Sequence, residues 1–334
     1  MEIISLYTGA GGLDIGAENA GAHVSLCVEI DPLRVRTLST NRPNWRTLNC
    51  DVASLSSLSI LRRAHLQKKG QFFLTAGSPC QPYSKSAFWV PGRISNILLD
   101  YRTRTLWHFM RIVRELQPRG FLLENVHGLS YTPCRPLLNK LISSLRRAGY
   151  GVSWRVVNAG GFGVPQKRER LFVVGLDNNQ EFVFPNPTHT PANYVSASRA
   201  FRGLVDIPND GEEVKGKWGH LLPRIPPGKN YLYLTKARGR RKPIFRWRSR
   251  YWSFLLKLSP DLPSWTIQAN PGPYVGPFHW HNRRLRISEV KRLQTFPDDY
   301  RIIGDRRLAW AQLGDAAPPL LATELFRGIL EQAS

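Results

Sequence analysis

The first third of the chain alternates short apolar runs with helical segments, and this alternation constrains the fold more than any other feature. Strands are predicted near residues 3–7, 23–30, 47–50, 72–76 and 121–124, with helices near residues 13–20 and 33–40. Short apolar runs that end in polar loops are typical of buried parallel strands. Strand–helix alternation therefore predicts an α/β domain built on a doubly wound sheet, whose ligands bind at the carboxyl ends of the strands.

The pattern changes after residue 175. From about residue 184 to residue 283, prolines, tryptophans and basic residues crowd together and helical periodicity is weak. A helical pattern returns at residues 288–294 and again at residues 319–332. We therefore predict a large domain formed by residues 1–183 and completed by residues 301–334, and a smaller, irregular domain formed by residues 184–300.

Composition narrows the class of protein. The 334 residues include 47 Lys and Arg against 24 Asp and Glu, which gives a net charge of +23 and indicates a polyanionic partner. The four cysteines show no ligand spacing, so neither a disulfide framework nor a metal site is expected. No apolar stretch is long enough to span a bilayer, and the N-terminus lacks the features of a signal peptide. These observations predict a cytoplasmic protein.

A glycine-rich turn, Tyr7-Thr8-Gly9-Ala10-Gly11-Gly12, leaves the first strand and opens a helix, where a ligand must approach the backbone closely. Glu29 ends the second strand, at about the distance from the turn at which an acid accepts ribose hydroxyls. Asp51 ends the third strand, where a carboxylate can meet an adenine amino group. Together they predict an adenosine-containing cofactor. Because Asp14 occupies the third glycine position of Gly-x-Gly-x-x-Gly, a diphosphate cofactor is disfavoured, but a nicotinamide dinucleotide remains the alternative.

Cys80 lies between two prolines just past a predicted strand end, in the sequence Gly77-Ser78-Pro79-Cys80-Gln81-Pro82-Tyr83-Ser84. A cysteine in this setting is held rigidly near the ligand crevice. The thiolate is the nucleophilic form, and basic surroundings lower the pKa of a thiol. Cys80 is therefore the candidate nucleophile, whereas Cys27 and Cys50 lie in apolar runs and are expected to be inert.

Six ordered motifs resemble those of DNA cytosine-5 methyltransferases. The central three are Pro79-Cys80-Gln81 with Ser84, Glu124-Asn125-Val126, and Gln166-Lys167-Arg168-Glu169-Arg170. Residues 6–12 resemble that family's S-adenosylmethionine loop, and residues 283–298 and 314–319 resemble its last two motifs. The resemblance covers nearly the whole chain except residues 185–263. It implies a Rossmann-like fold with a mixed seven-stranded sheet, S-adenosylmethionine as cofactor and double-stranded DNA as substrate.

The resemblance also implies a reaction. Carbon 5 of cytosine is a poor nucleophile toward a methyl sulfonium, and attack of the Cys80 thiolate on carbon 6 would make it reactive. Glu124 would hydrogen-bond N3 and the exocyclic amine, and Arg170 would lie near O2. Arg168 is predicted as a fourth catalytic residue. Because this chemistry is impossible inside a stacked duplex, the cytosine must be flipped out.

The same motifs predict two sets of binding residues. The cofactor contacts are Tyr7, Thr8, Gly9, Gly11, Gly12, Leu13, Glu29, Ile30, Asp51, Val52, Pro79, Asp315 and Ala317. The DNA contacts are Gln81, Ser84, Lys85, Arg93, Arg240, Arg241, Lys242, Arg246 and Arg248. The first four of these belong to, or directly precede, a loop expected to close over DNA. The last five belong to a basic, aromatic-rich stretch that matches the family's target-recognition segment in position, which predicts a single short target.

One departure from the family pattern adds a charge. Asp315 stands where the family usually has Asn, near the expected methionine end of the cofactor. It is expected either to bind the ammonium group or to weaken contacts with the carboxylate.

The predicted protein is a nucleoid-associated monomer on DNA. It would act beside a separate cognate restriction endonuclease or alone as an orphan regulator. A nicotinamide-dependent oxidoreductase and a catalytically idle DNA-binding module are the alternatives from other classes.

Overall fold

A seven-stranded mixed sheet forms the centre of the computed structural model, which describes residues 1–67, 69–79, 83, 103–205, 212–238 and 242–333. The strands are β1 (Glu2–Leu6), β2 (His23–Glu29), β3 (Thr47–Asn49), β4 (Phe72–Gly77), β5 (Gly120–Val126), β6 (Gly151–Asn158), β7 (Gln166–Lys167), β8 (Glu169–Leu176) and β9 (Ser264–Trp265). The sheet order is β3-β2-β1-β4-β5-β8-β6, while β7 and β9 pair separately. The first five strands of the sheet are parallel and β8 runs antiparallel to both neighbours. The mixed seven-stranded sheet implied by the resemblance is confirmed.

Helices cover both faces of this sheet. They are α1 (Gly12–Asn19), α2 (Pro32–Asn41), α3 (Ser57–Arg63), α4 (Arg104–Leu116), α5 (Arg135–Arg147), α6 (Ala197–Ala200), α7 (Ile287–Leu293), α8 (Arg306–Asp315) and α9 (Pro319–Gln332). Ile3 of β1 packs into a core shared with α1 and α9, whereas Ile4 and Leu6 pack into a core shared with α3, α4 and α5. β1 is therefore buried on both faces, which explains why its sequence is apolar without alternation. In the described part of the chain, no helix has the length and apolar character needed to cross a membrane.

The last helix packs closely on the first. A Cβ atom on Gly16 of α1 would lie only 2.3 Å from the Cβ of Ala322 in α9, so glycine is what permits this approach. The contact brings the turn between α8 and α9 beside the glycine-rich turn after β1. Two segments from opposite ends of the chain thereby meet at the carboxyl edge of the sheet.

A smaller core lies apart from the sheet, between residues 214 and 278, and we call it the small core region. It is formed by Val214, Leu221, Leu222, Ile225, Tyr231, Leu232, Leu234, Phe245, Phe254, Leu255 and Phe278. Its described secondary structure consists mainly of short 3-10 turns and isolated bridges. Aromatic rings fill it: the Phe254 ring centre lies 5.6 Å from that of Phe245 and 5.9 Å from that of Tyr231, both nearly perpendicular. Short turns and packed aromatic rings therefore characterise this region, and the second domain remains a prediction.

The packing does not follow the predicted domain boundary at residue 300. Leu285, together with Val290 and Leu293 of α7, is buried in the same core as α1 and α9, not in the small core region. The apolar face of α7 therefore belongs with the sheet, although it precedes residue 300 in the sequence.

Candidate active site and cofactor cavity

A cavity of about 670 Å³ opens at the carboxyl ends of the parallel strands. Its walls include Tyr7 after β1, Glu29 at the end of β2, Asp51 after β3, Gly77 at the end of β4 and Glu124 in β5. This volume suits a ligand of nucleoside size. Every predicted cofactor contact lines the cavity except Gly11. The strand ends thus gather the predicted cofactor contacts and Glu124 around one space.

The glycine-rich turn needs glycine at two positions for different reasons. Gly11 has φ of +80° and is the N-cap of α1, and a Cβ atom there would lie 2.9 Å from Cδ2 of Leu38. A Cβ atom on Gly12 would lie 2.1 Å from the carbonyl oxygen of Ala317. Glycine at position 11 therefore permits the left-handed backbone conformation and the close approach of Leu38. Glycine at position 12 allows Ala317 to reach the cavity wall.

Glu29 and Asp51 hold the cavity wall through backbone hydrogen bonds. The Glu29 carboxylate accepts from the Gly9 amide at 2.7 Å and from the Asp31 amide at 2.9 Å. The Asp51 carboxylate accepts from the Ala53 amide at 2.9 Å. Since each carboxylate oxygen has a second lone pair, both residues can still accept hydrogen bonds from a ligand.

Asp315 lies in the cavity wall with a partner that the sequence analysis did not single out. Its Oδ2 accepts a hydrogen bond from Nη2 of Arg34 at 2.6 Å, and both side chains line the cavity. Nε of Arg34 also lies 3.5 Å from Asp31. Burial lowers the pKa of Arg34, but the charge and hydrogen bond of Asp315, together with the charges of Glu29 and Asp31, raise it by more, so the net direction is upward. The additional acid of this chain is therefore balanced by an arginine.

Glu124 and Arg170 form an ion pair inside the cavity. The two residues lie on adjacent antiparallel strands, and Nε of Arg170 lies 3.0 Å from Oε1 of Glu124. Burial raises the pKa of Glu124, an effect that Arg170 and Arg168 only partly oppose. Oε1 is buried, and Nε of Arg170 is its charged partner. A carboxyl group with a raised pKa can keep its proton and act as a donor.

Arg168, which was predicted as a catalytic residue, does not line the cavity. It is fully buried, and its guanidinium donates to the carbonyl oxygens of Ile267, Gly314 and Ala316 at 3.2, 2.9 and 2.9 Å. These carbonyls belong to the residues after β9 and to the segment from the end of α8 into the turn before α9. Arg168 thus fixes the segment that carries Asp315, and it acts on Glu124 only at a distance, through its charge.

The described residues stop just short of the predicted nucleophile. Pro79 lines the cavity, and the Ser78 hydroxyl accepts a hydrogen bond from the Asn125 amide at 2.8 Å, which ties the end of β4 to the end of β5. The predicted residues Cys80, Gln81, Ser84, Lys85, Arg93, Arg240 and Arg241 lie outside the described residues.

Helix α4 contributes cavity residues that the sequence analysis missed. Arg104, Thr105 and His108 line the cavity from its first turns. The Tyr7 hydroxyl donates to the Thr105 carbonyl oxygen at 3.2 Å, joining the glycine-rich turn to this helix. Their spacing places them on one side of a helix, a signal that could have been found.

The basic stretch near residue 245 divides into buried and exposed side chains. Lys242, Arg246 and Arg248 are exposed, whereas Phe245 between them is buried in the small core region. The exposed aromatic side chains nearby include Trp247, Tyr251 and Trp252. The cationic groups are therefore presented to solvent on a surface that Phe245 anchors.

Comparisons with known proteins agree with the resemblance found in the sequence. Residues 1–331 match the family model described as C-5 cytosine-specific DNA methylase. The Type II methyltransferase M.SacI of Streptomyces achromogenes is 37% identical to this chain, with 99% of this chain and 93% of that protein covered. The Type II methyltransferase M1.HphI of Haemophilus parahaemolyticus is 31% identical, with coverage of 99% and 87%. A crystal structure of a prophage-encoded Escherichia coli protein has the same fold, with a TM-score of 0.76 over 99% of both chains at 22% identity.

Proposed function

The chain belongs to the C-5 cytosine-specific DNA methylase family, and we propose that it uses S-adenosylmethionine to methylate a cytosine flipped out of a short double-stranded target. The observation that carries the proposal is the Glu124–Arg170 pair in the cavity that the predicted cofactor contacts also line. Family membership removes the nicotinamide oxidoreductase alternative. The Type II relatives support a role as the modification enzyme of a restriction–modification system, beside a separately acting endonuclease. We place this activity in a monomer acting on DNA in the cytoplasm.

The cavity fits the proposed cofactor in size and in chemistry. Its volume of about 670 Å³ accommodates a nucleoside with an amino-acid tail. Glu29 and Asp51 would hold the ribose hydroxyls and the adenine amino group. Neither side chain has its carboxylate fully occupied by the backbone hydrogen bonds described above. When bound, the cofactor supplies an electrophilic methyl group on a sulfonium centre.

Glu124 and Arg170 suit recognition of a flipped cytosine. A protonated Glu124 would donate to N3, and its second oxygen would accept from the exocyclic amine. Arg170 would donate toward O2. These hydrogen bonds would stabilise the charge that develops on the ring during attack at carbon 6.

Cys80 would supply the nucleophile. Its thiolate would add to carbon 6 and the ring electrons would move to carbon 5. Carbon 5 would then take the methyl group from the sulfonium, whose S–CH3 bond breaks and leaves S-adenosylhomocysteine. Loss of the carbon 5 proton to a base then expels the thiolate and restores the aromatic ring. The Ser78–Asn125 hydrogen bond supports this role, because it fixes the backbone two residues before Cys80.

Basic side chains would hold the DNA. Lys242, Arg246 and Arg248 are accessible for phosphate or base contacts, and their exposure supports this part of the proposal. Gln81, Ser84, Lys85, Arg93, Arg240 and Arg241 complete the proposed DNA-binding set.

A covalent trap tests the mechanism. Once the target is mapped by sequencing host DNA after expression, a duplex with 5-fluorocytosine at the methylated position cannot lose fluorine after methyl transfer. The wild-type enzyme should then remain attached through denaturing electrophoresis, only when S-adenosylmethionine is present. Cys80→Ala should form no adduct and methylate no natural DNA, yet still bind the target. Cys134→Ala is the matched control and should form the adduct. Methylation by Cys80→Ala at a rate near wild type would refute the covalent mechanism.

A further inference from the structure

Arg34 reaches the cofactor cavity from α2 and meets Asp315 from the end of α8. The pair joins positions that are 281 residues apart in the chain, at an Nη2–Oδ2 distance of 2.6 Å. Both side chains are partly exposed to the cavity, at 23% and 27% of their full accessibility. The pair is therefore neither a buried core ion pair nor a freely solvated surface pair.

The guanidinium of Arg34 keeps one nitrogen for a ligand. Nη2 is bound to Asp315 and Nε faces Asp31, whereas Nη1 makes no hydrogen bond with any described residue. Nη1 lies 3.6 Å from the position that a Cβ atom on Gly9 would occupy. The glycine at position 9 thus leaves Nη1 facing the turn that the cofactor would approach.

The position of Asp315 places the pair near the reacting end of the cavity. Asp315 and Glu124 line the same cavity, and the charge of Asp315 contributes to the raised pKa of Glu124. Glu29 and Asp51 would hold the adenosine part of the cofactor, and its methyl-bearing end would face the cytosine that Glu124 would hold. The part of the cavity wall formed by Arg34 and Asp315 is therefore left for the amino-acid moiety.

We propose that Arg34 and Asp315 together bind the amino-acid moiety of the cofactor, with Arg34 on its carboxylate and Asp315 on its ammonium group. This assignment rests on the proposed use of S-adenosylmethionine. The amino-acid moiety is a zwitterion, and an adjacent cation and anion are complementary to its two charges. Arg34 alone or Asp315 alone would match only one of them. The added charge at position 315 does not repel the cofactor carboxylate because Arg34 offsets it and offers Nη1 in its place.

The alternative is that the pair only braces α2 against α8, and the structure provides a control for it. The Thr37 hydroxyl of α2 donates to Oε1 of Gln312 in α8 at 2.9 Å, and both residues are buried away from the cavity. Thr37→Val removes this brace without changing the cavity. Glu29→Ala is a second control, because loss of the proposed ribose contact should weaken any nucleoside ligand.

Calorimetry with two ligands tests the proposal on the purified full-length protein. S-adenosylhomocysteine carries the amino-acid moiety, whereas 5′-methylthioadenosine lacks it. Arg34→Gln should weaken binding of S-adenosylhomocysteine by about tenfold to a hundredfold, as expected for the loss of a charge-assisted contact, and should leave methylthioadenosine within about twofold. Asp315→Asn should cause a smaller loss. Arg34→Gln should cost less in the Asp315→Asn background, where no unpaired carboxylate faces the ligand. Glu29→Ala should lower the affinity for both ligands, and Thr37→Val should change neither affinity.

Three results would overturn the inference. An equal loss for both ligands in Arg34→Gln would show that the pair only supports the cavity wall. No loss for either ligand would show that the pair does not contact the tail. If the wild-type protein bound neither S-adenosylhomocysteine nor S-adenosylmethionine, the proposed function would fail as well. The second result, obtained with normal wild-type binding, would refute only the assignment of Arg34 and Asp315 and would leave the proposed function in place.

Discussion

The sheet and the small core region bury apolar side chains in different ways, and the difference decides what each contributes to the site. In the sheet, regular hydrogen bonding aligns the strand ends, so Glu29, Asp51 and Glu124 meet at one edge. In the small core region, the buried side chains come from short turns and show no regular spacing in the sequence. Phe245 and Phe254 contact each other through their rings. The positions of the proposed cofactor-binding and catalytic residues thus follow from topology, whereas the exposed cations near residue 245 depend on a few aromatic anchors.

The two regions also differ in the ionisable group that each buries. Asp14 in α1 is fully buried, and burial raises its pKa to about 7, only partly offset by the hydroxyls of Ser5 and Thr75. In the small core region, the Lys257 ammonium is 2.8 Å from the Ile225 carbonyl oxygen and also donates to Asn282, although burial still lowers its pKa. The core beside the sheet therefore contains a carboxyl group, Asp14, with a raised pKa. The small core region contains an ammonium group, Lys257, that is held by two hydrogen bonds.

The largest expected effect is the loss of an aromatic anchor from the small core region. Phe254 is buried against the rings of Phe245, Tyr231 and Tyr274. Phe254→Ala should destabilise this region by about 3–5 kcal/mol, because a buried ring is replaced by a cavity. Target-DNA binding should fall sharply while S-adenosylhomocysteine affinity is retained, as measured by gel shift and calorimetry.

Phe326 in α9 provides the matched control, because it is buried in the core beside the sheet and packs on Phe73 at 6.1 Å between ring centres. Phe326→Ala should lower the stability of the sheet and reduce the affinity for both target DNA and S-adenosylhomocysteine. Parallel loss of cofactor and DNA binding in Phe254→Ala would show that the two cores do not unfold independently.

Sequence predicted more of the sheet than of the small core region, for a physical reason. β2 was predicted at residues 23–30 and is observed at His23–Glu29, because an apolar run bounded by a turn specifies a buried strand locally. The roles of Arg34 and Arg168 depend instead on partners far away in the chain, which no local pattern reveals. The helix at α7 was predicted, but local sequence did not reveal that it packs on the sheet side although it precedes the predicted boundary at residue 300.

A smaller effect is expected from Asp14. Its carboxyl titrates near pH 3.8 when unfolded and near 7 when folded, so it is protonated in both states below pH 3.8. Between these two pH values the folded protein keeps the Asp14 proton that the unfolded chain has lost. The free energy of unfolding therefore decreases as the pH rises toward 7, by up to about 4 kcal/mol. Asp14→Asn cannot ionise, so it should gain stability relative to wild type between pH 4.5 and about 7. Urea unfolding of both proteins across this range measures the difference.

A constant difference between the two proteins at all pH values would contradict the assignment, because only titration of Asp14 makes it vary. Ser5→Ala is a useful companion. It removes one hydroxyl that opposes the upward shift, so the loss of stability with rising pH should become larger than in wild type.

The smallest expected effect concerns charge on the surface that Phe245 anchors. If Lys242, Arg246 and Arg248 contact phosphates, the logarithm of DNA affinity should fall linearly with the logarithm of salt concentration. Replacing all three with Ala should reduce that slope by about 2–3, since each phosphate contact contributes about 0.9, and should leave S-adenosylhomocysteine binding unchanged. The matched control replaces Arg62, Arg63 and Lys69, which are exposed on and after α3 and carry the same total charge. An equal change of slope in both variants would mean that only net charge matters, and that the small core region does not direct these cations to DNA.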